Sequence, residues 1–138
     1  RQTSSRSFSL MMVKKISEPK MITTLNPNQI FVFGSNMAGK HYGGAARQAN
    51  MSFGAEMGIG EGLTGQCYAF PTLDENFNTR TDEEIDQSVK LFYECAQVNP
   101  HLEFLLTKVG CGIAGYDEQY MISKFLHAPG NVIKPEGW

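Results

Sequence analysis

The sequence predicts a single α/β layered domain built on a largely parallel sheet, and three observations carry that reading. Apolar runs at residues 30–33, 66–70 and 104–109 have the length and the β-branched and aromatic content of buried strands. Segments with helical spacing alternate with them, which is the order a parallel sheet requires. The first and third runs each feed a glycine-rich loop, residues 34–44 and 110–116, and a helix follows each loop.

The elements follow in chain order. Residues 1 to about 20 are Ser-rich, then basic, with Glu18-Pro19-Lys20 as a boundary; they read as a flexible extension ahead of a domain at 21–138. Residues 21–25 suggest a short strand, and Asn26-Pro27-Asn28 a turn. The strand at 30–33 stops at Gly34-Ser35-Asn36, and a small-residue helix runs from about Gly44 to Ser52. Gly54, Gly58, Gly60, Gly62 and Gly65 break up residues 53–65, which read as a loop lying close against a surface or a ligand. The next strand ends at Pro71, and residues 73–80 form a polar connection. Thr81 to Glu84 has the spacing of a capping box. The helix behind it places Ile85, Val89, Phe92 and Ala96 on one face and stops at Asn99-Pro100. After the third strand and its loop, Asp117 caps a helix with an apolar face of Met121, Ile122, Phe125 and Leu126. Residues 131–135 give a last short strand.

Composition narrows the function classes. The 138 residues are 41% hydrophobic and 19% charged, an ordinary globular balance and enough chain for one core. A net charge of −2 provides no basic field for duplex nucleic acid. No apolar run approaches the roughly 20 residues of a membrane span. Cys67, Cys95 and Cys111 form neither a disulfide framework nor metal-ligand spacing, which suggests a reducing, cytoplasmic setting with no metal or cofactor.

Function concentrates in the two glycine loops. A buried strand that opens through glycines into a helix presents free N–H groups, with the helix dipole behind them, to an anion. The alternative is a tight turn that needs glycine only for its backbone angles. The spacing matches neither a dinucleotide fingerprint nor a P-loop. Loops leaving the carboxyl ends of parallel strands line the ligand crevice. If the two strands are close, the loops therefore clamp a diphosphate from both sides.

The residues that carry this pattern also carry a resemblance. Phe31-Val32-Phe33-Gly34-Ser35-Asn36, with Gly39, His41 and Gly44-Ala45-Ala46, resembles the signature of a family of bacterial and phage proteins. Phe53-Gly54-Ala55, Gly60-Glu61-Gly62-Leu63, Tyr68-Ala69-Phe70-Pro71-Thr72 and the loop from Gly110 to Gly115 continue the match, which covers residues 30–138. More distantly the layout is similar to a macro domain, the fold that binds ADP-ribose. That resemblance implies a three-layer α/β/α macro-like fold. It would put Asn36 near the distal ribose, Gly43 and Gly44 beside the diphosphate, and the backbone of residues 111–115 around the phosphates from the other side. The first loop reads Gly-Ser-Asn rather than Asn-Ala-Ala-Asn, Tyr42 replaces a glycine, and Ala114 stands where many macro domains carry an aromatic.

The candidate ligand-binding residues are Gly34, Ser35, Asn36, Gly39, Gly43, Gly44, Ala45, Gly110, Cys111, Gly112, Ile113, Ala114, Gly115 and Tyr116. His41 is a candidate acid or base, or a loop histidine bonded to backbone. Asn36 either holds a ribose or closes an Asx turn. Glu61, in the glycine-dense loop, is the candidate carboxylate for activating a water. Lys40 and Arg47 either offset phosphate charge or are solvated. Tyr116 stacks on a ligand or fills the core. Cys111 has no base in register, so a small buried thiol explains it better than a nucleophile. The reading that results is a module binding ADP-ribose or a related NAD-derived nucleotide. The alternatives are a hydrolase of an ADP-ribosyl bond, using Asn36 with His41 or Glu61, and a protein-interaction domain without a small ligand.

Overall fold

In the computed structural model, residues 22–138 are described. Among these residues the fold is mixed α/β, with five strands and three helices in the order β1 (Gln29–Asn36), α1 (Gly44–Ser52), β2 (Gly62–Thr64), β3 (Cys67–Leu73), α2 (Asp82–Val98), β4 (Glu103–Leu106), α3 (Glu118–Lys124) and β5 (Val132–Ile133). The strands form one sheet in the order β2-β3-β1-β4-β5. All pairings are parallel except β2 with β3. The longest strand, β1, is central, and the chain passes from β3 on one side of it to β4 on the other.

Side-chain alternation along β1 and β3 sorts the core into two clusters. Phe31 and Phe33 join Cys67 and Ala69 around Ala46 and Ala49 of α1. Ile30 and Val32 join Tyr68 and Phe70 around Phe92 of α2 and the Met121 and Phe125 side chains of α3 and its end. Phe92 is the hub of the second cluster, its ring 4.9 Å from Tyr68 and 5.8 Å from Phe104 between centroids. The capping box is complete: the Thr81 hydroxyl accepts from the Glu84 amide, and the Glu84 carboxylate accepts from the Thr81 amide. Asp117 caps α3 by accepting from the Tyr120 amide.

Several details differ from the expectation. Residues 22–25 form no strand, while Met21 lies outside the described residues; Ile22 and Leu25 pack against the α1 cluster instead. The strand β1 continues through Gly34-Ser35-Asn36, and β3 runs on through Pro71 to Leu73, because the two strands pair along this length. A proline survives there because β2 pairs only with residues 67–69. The edge of β3 that Pro71 faces is therefore free of a strand, and Arg80 donates to its carbonyl at 2.8 Å. The glycine-dense stretch contains β2. Leu126 is exposed, leaving Met121 and Phe125 as the buried face of the last helix.

Candidate functional site

The carboxyl ends of β1, β3 and β4 open into a cavity of about 460 Å³, within the range of small-molecule sites. Its walls are the two glycine loops: Gly34, Ser35, Asn36, Lys40 and Tyr42 to Ala46 on one side, Thr107 to Gly110 and Gly112 to Ala114 on the other. Thr72, Leu73 and Phe77 complete the lining. Most of the residues singled out in the sequence are thereby brought together. Gly39, His41, Glu61, Cys111, Gly115 and Tyr116 are not among the lining residues.

The walls present backbone donors. In α1 the first helical acceptor is the Gly43 carbonyl, taken by the Arg47 amide at 3.2 Å. The amides of Gly44, Ala45 and Ala46 lie one turn too early to have a helical partner. Gly43 supplies no side-chain cap, and the first turn carries no acidic residue. In the second loop, turns are closed by Cys111 N–H to the Lys108 carbonyl and Gly115 N–H to the Gly112 carbonyl. The amides of Gly110, Gly112, Ile113 and Ala114 find no acceptor among the described residues. All seven of these donors belong to residues that line the cavity. Its charged side chains are Lys40 and Lys108, with no carboxylate among the nineteen lining residues. Lys108 also pairs with Glu118 at 3.3 Å.

Other residues shape the walls. The Asn36 side chain closes the first loop on itself, Nδ2 donating to the Lys40 carbonyl at 2.9 Å and Oδ1 accepting from the Lys40 amide at 3.0 Å. His41 points into the interior: it is buried, its ring edge-on to Phe33 with centroids 5.1 Å apart. Its Nε2 lies 3.0 Å from the Glu56 carbonyl, so that nitrogen carries the proton, and Nδ1 is buried without a partner. Glu61 accepts from the Ser88 hydroxyl at 2.6 Å, and Ser88 in turn accepts from Arg80 at 2.7 Å. Tyr116 braces the second loop, its hydroxyl donating to the Thr72 carbonyl and accepting from the Arg80 amide, each at 2.8 Å. Arg47 reaches Met51 along the helix surface.

The glycine-dense stretch explains itself by backbone contact. A Cβ on Gly39 would stand 2.3 Å from the Gly58 carbonyl carbon, and one on Gly60 would stand 2.4 Å from the Asn36 carbonyl oxygen. Two backbones cross there, held by the Gly58 amide donating to Gly39 and by the Ser35 hydroxyl donating to Gly60. Gly43 and Gly112 are different: a Cβ at either would meet no protein atom within 4 Å, and both line the cavity.

Burial raises the Cys111 thiol above its ordinary range, with Glu118 adding to the effect, so its protonated form dominates at neutral pH. Cys67, fully buried beneath α1, is pushed up to about 12 by desolvation. Neither behaves as an activated nucleophile. No group of three or more His, Cys, Asp or Glu among the described residues has the geometry of a metal site. No helix among them is long and apolar enough to cross a membrane. Comparison with family models, curated proteins and solved structures gives no match.

Proposed function

We propose that this protein binds the diphosphate of ADP-ribose, or of a related NAD-derived nucleotide, between its two glycine loops without turning it over. The observation that carries the reading is the lining itself. Seven backbone N–H groups without an acceptor among the described residues belong to residues that line one cavity from both loops, with two lysines and no carboxylate beside them. Amides fixed in a folded backbone bind an anion with little reorganisation, and the α1 dipole adds to them. A diphosphate has oxygens enough to engage both walls at once.

The arrangement of two core clusters about the sheet fits the three-layer macro-like fold that the sequence resembles. In this proposal Asn36, whose amide bonds the Lys40 main chain on both sides, fixes the first loop in place of the ribose contact that the resemblance implies. The binding role is favoured over hydrolysis because the side chains hydrolysis would use are engaged elsewhere. His41 faces the interior and Glu61 is held by Ser88.

Substitution at Gly112 tests the cradle most cleanly. Gly112→Ile adds bulk from a Cβ position that has no protein atom within 4 Å, so the unfolding midpoint should stay within the range of a neutral surface change, about 0.5 kcal/mol. ADP-ribose binding measured by calorimetry should fall below detection. Wild-type affinity in a folded Gly112→Ile protein would contradict the proposal.

A further inference from the structure

The connection between β3 and α2 holds a residue whose conformation its own packing does not explain. Phe77 has φ of 64°, and among the described residues no other non-glycine has a positive φ. That region disfavours a residue with a Cβ, and aromatic side chains seldom occupy it. Burial does not compensate, since Phe77 is 49% exposed. The turn that imposes the angle is firmly built. Asp74 Oδ1 accepts from the amides of Asn76 at 2.8 Å and Asn78 at 3.0 Å. The Asp74 amide donates to Asn78, and the Phe77 amide donates back to Asp74. The effect is to set the Phe77 ring on the wall of the cavity, with the Lys40 ammonium 5.8 Å from its centroid.

A strained backbone held by its surroundings points to a role for the side chain it displays. We infer that Phe77 is a stacking platform: the ligand carries a planar aromatic ring over Phe77, joined to a phosphate that Lys40 reaches. This rests on the diphosphate reading above and assigns the residue that holds the ligand's ring. A nucleotide satisfies it, whereas a sugar phosphate or free pyrophosphate leaves the ring unused. Adenine and nicotinamide share the required chemistry.

The test compares wild type, Phe77→Tyr and Phe77→Asn by calorimetry with ADP-ribose, ADP, nicotinamide mononucleotide and pyrophosphate. Asparagine suits a positive φ, so Phe77→Asn keeps the turn and its melting temperature while removing the ring. Loss of one stacked ring should weaken the ring-bearing ligands by roughly 5- to 150-fold. Pyrophosphate binding should be unchanged, and Phe77→Tyr should bind as wild type. Preferential loss with the adenine ligands or with the mononucleotide identifies which ring is stacked. Wild-type affinity for all ring-bearing ligands in Phe77→Asn, or an equal loss for pyrophosphate, overturns the inference. In either case binding that still disappears in Gly112→Ile leaves the cradle standing. If wild type binds none of the ligands, the cradle and the platform both fall.

Discussion

At the scale of single residues, His41 and Gly60 are predicted to act on stability, and Asn36 on both stability and binding. Replacing His41 with Ala empties a buried site against Phe33 and strips the Glu56 carbonyl of its donor. It should cost about 2–4 kcal/mol in a denaturant titration. ADP-ribose affinity should be retained wherever the variant is folded, and a catalytic or ligand-contact role would show the opposite pattern. Gly60→Ala forces a methyl group into the Asn36 carbonyl and should cost about 1–3 kcal/mol. Asn36→Ala frees the loop at Lys40, so both the melting temperature and the affinity should fall. The sequence announced that glycines 54 to 65 mark close approach, because repeated absence of Cβ suits a chain lying against a surface or a ligand. It did not say what approaches. The answer depends on residues 36–39 and 58–60 meeting in space, and no local pattern encodes that. The roles of His41 and Glu61 were hidden for the same reason, their partners Glu56 and Ser88 being set by the fold.

At the scale of elements, α2 fastens the second core cluster and α3 is docked to it by charge. Phe92→Ala should cost about 3–5 kcal/mol, since its ring meets Tyr68, Phe70, Phe104 and Phe125. Lys124 lies 2.7 Å from both Asp82 and Asp86. Its hydrogen bonds lower Asp82, and those carboxylates raise Lys124. The sign follows for each group. Asp82 contributes above its unfolded value, and that contribution is lost as pH falls through its depressed folded value. Lys124 contributes below its unfolded value, and that is lost as pH rises through its elevated folded one. The melting-temperature difference between wild type and Lys124→Met should therefore be flat at neutral pH and shrink at both acid and alkaline extremes. A difference that is constant across pH would remove the ion pairs from the account. Elements with self-sufficient signals were legible: the Thr81 box and the α2 stripe announce a helix without reference to anything else. The three-residue β2 was not, because Gly62-Leu63-Thr64 becomes a strand only through pairing with β3. Pro71 likewise argued for a strand end, and only the short reach of β2 made its place in β3 acceptable.

At the scale of the whole molecule, the topology assembles the site. Placing β1 between β3 and β4 brings two loops that are more than sixty residues apart onto one cavity, lined in part by seven residues whose amides have no acceptor among the described residues. Alternation of strand and helix placed both loops at carboxyl ends of parallel strands in advance; that their strands are neighbours follows only from the pairing of β1 with β4. The Phe77 platform was not readable, since its backbone angle arises from the Asp74 turn and from nothing in residue type. A cavity with two lysines and no acid should bind its anion less tightly as salt rises, through screening of Lys40 and Lys108. Affinity that does not change with ionic strength would argue against phosphate recognition there. The most direct measurement is a thermal-shift titration of the wild-type protein with ADP-ribose, AMP and pyrophosphate. At 100 times its dissociation constant, ADP-ribose should add about 2.7 kcal/mol and raise the melting temperature well above that reached with AMP at the same concentration. A melting temperature unmoved by ADP-ribose at millimolar concentration would contradict the two-loop diphosphate site.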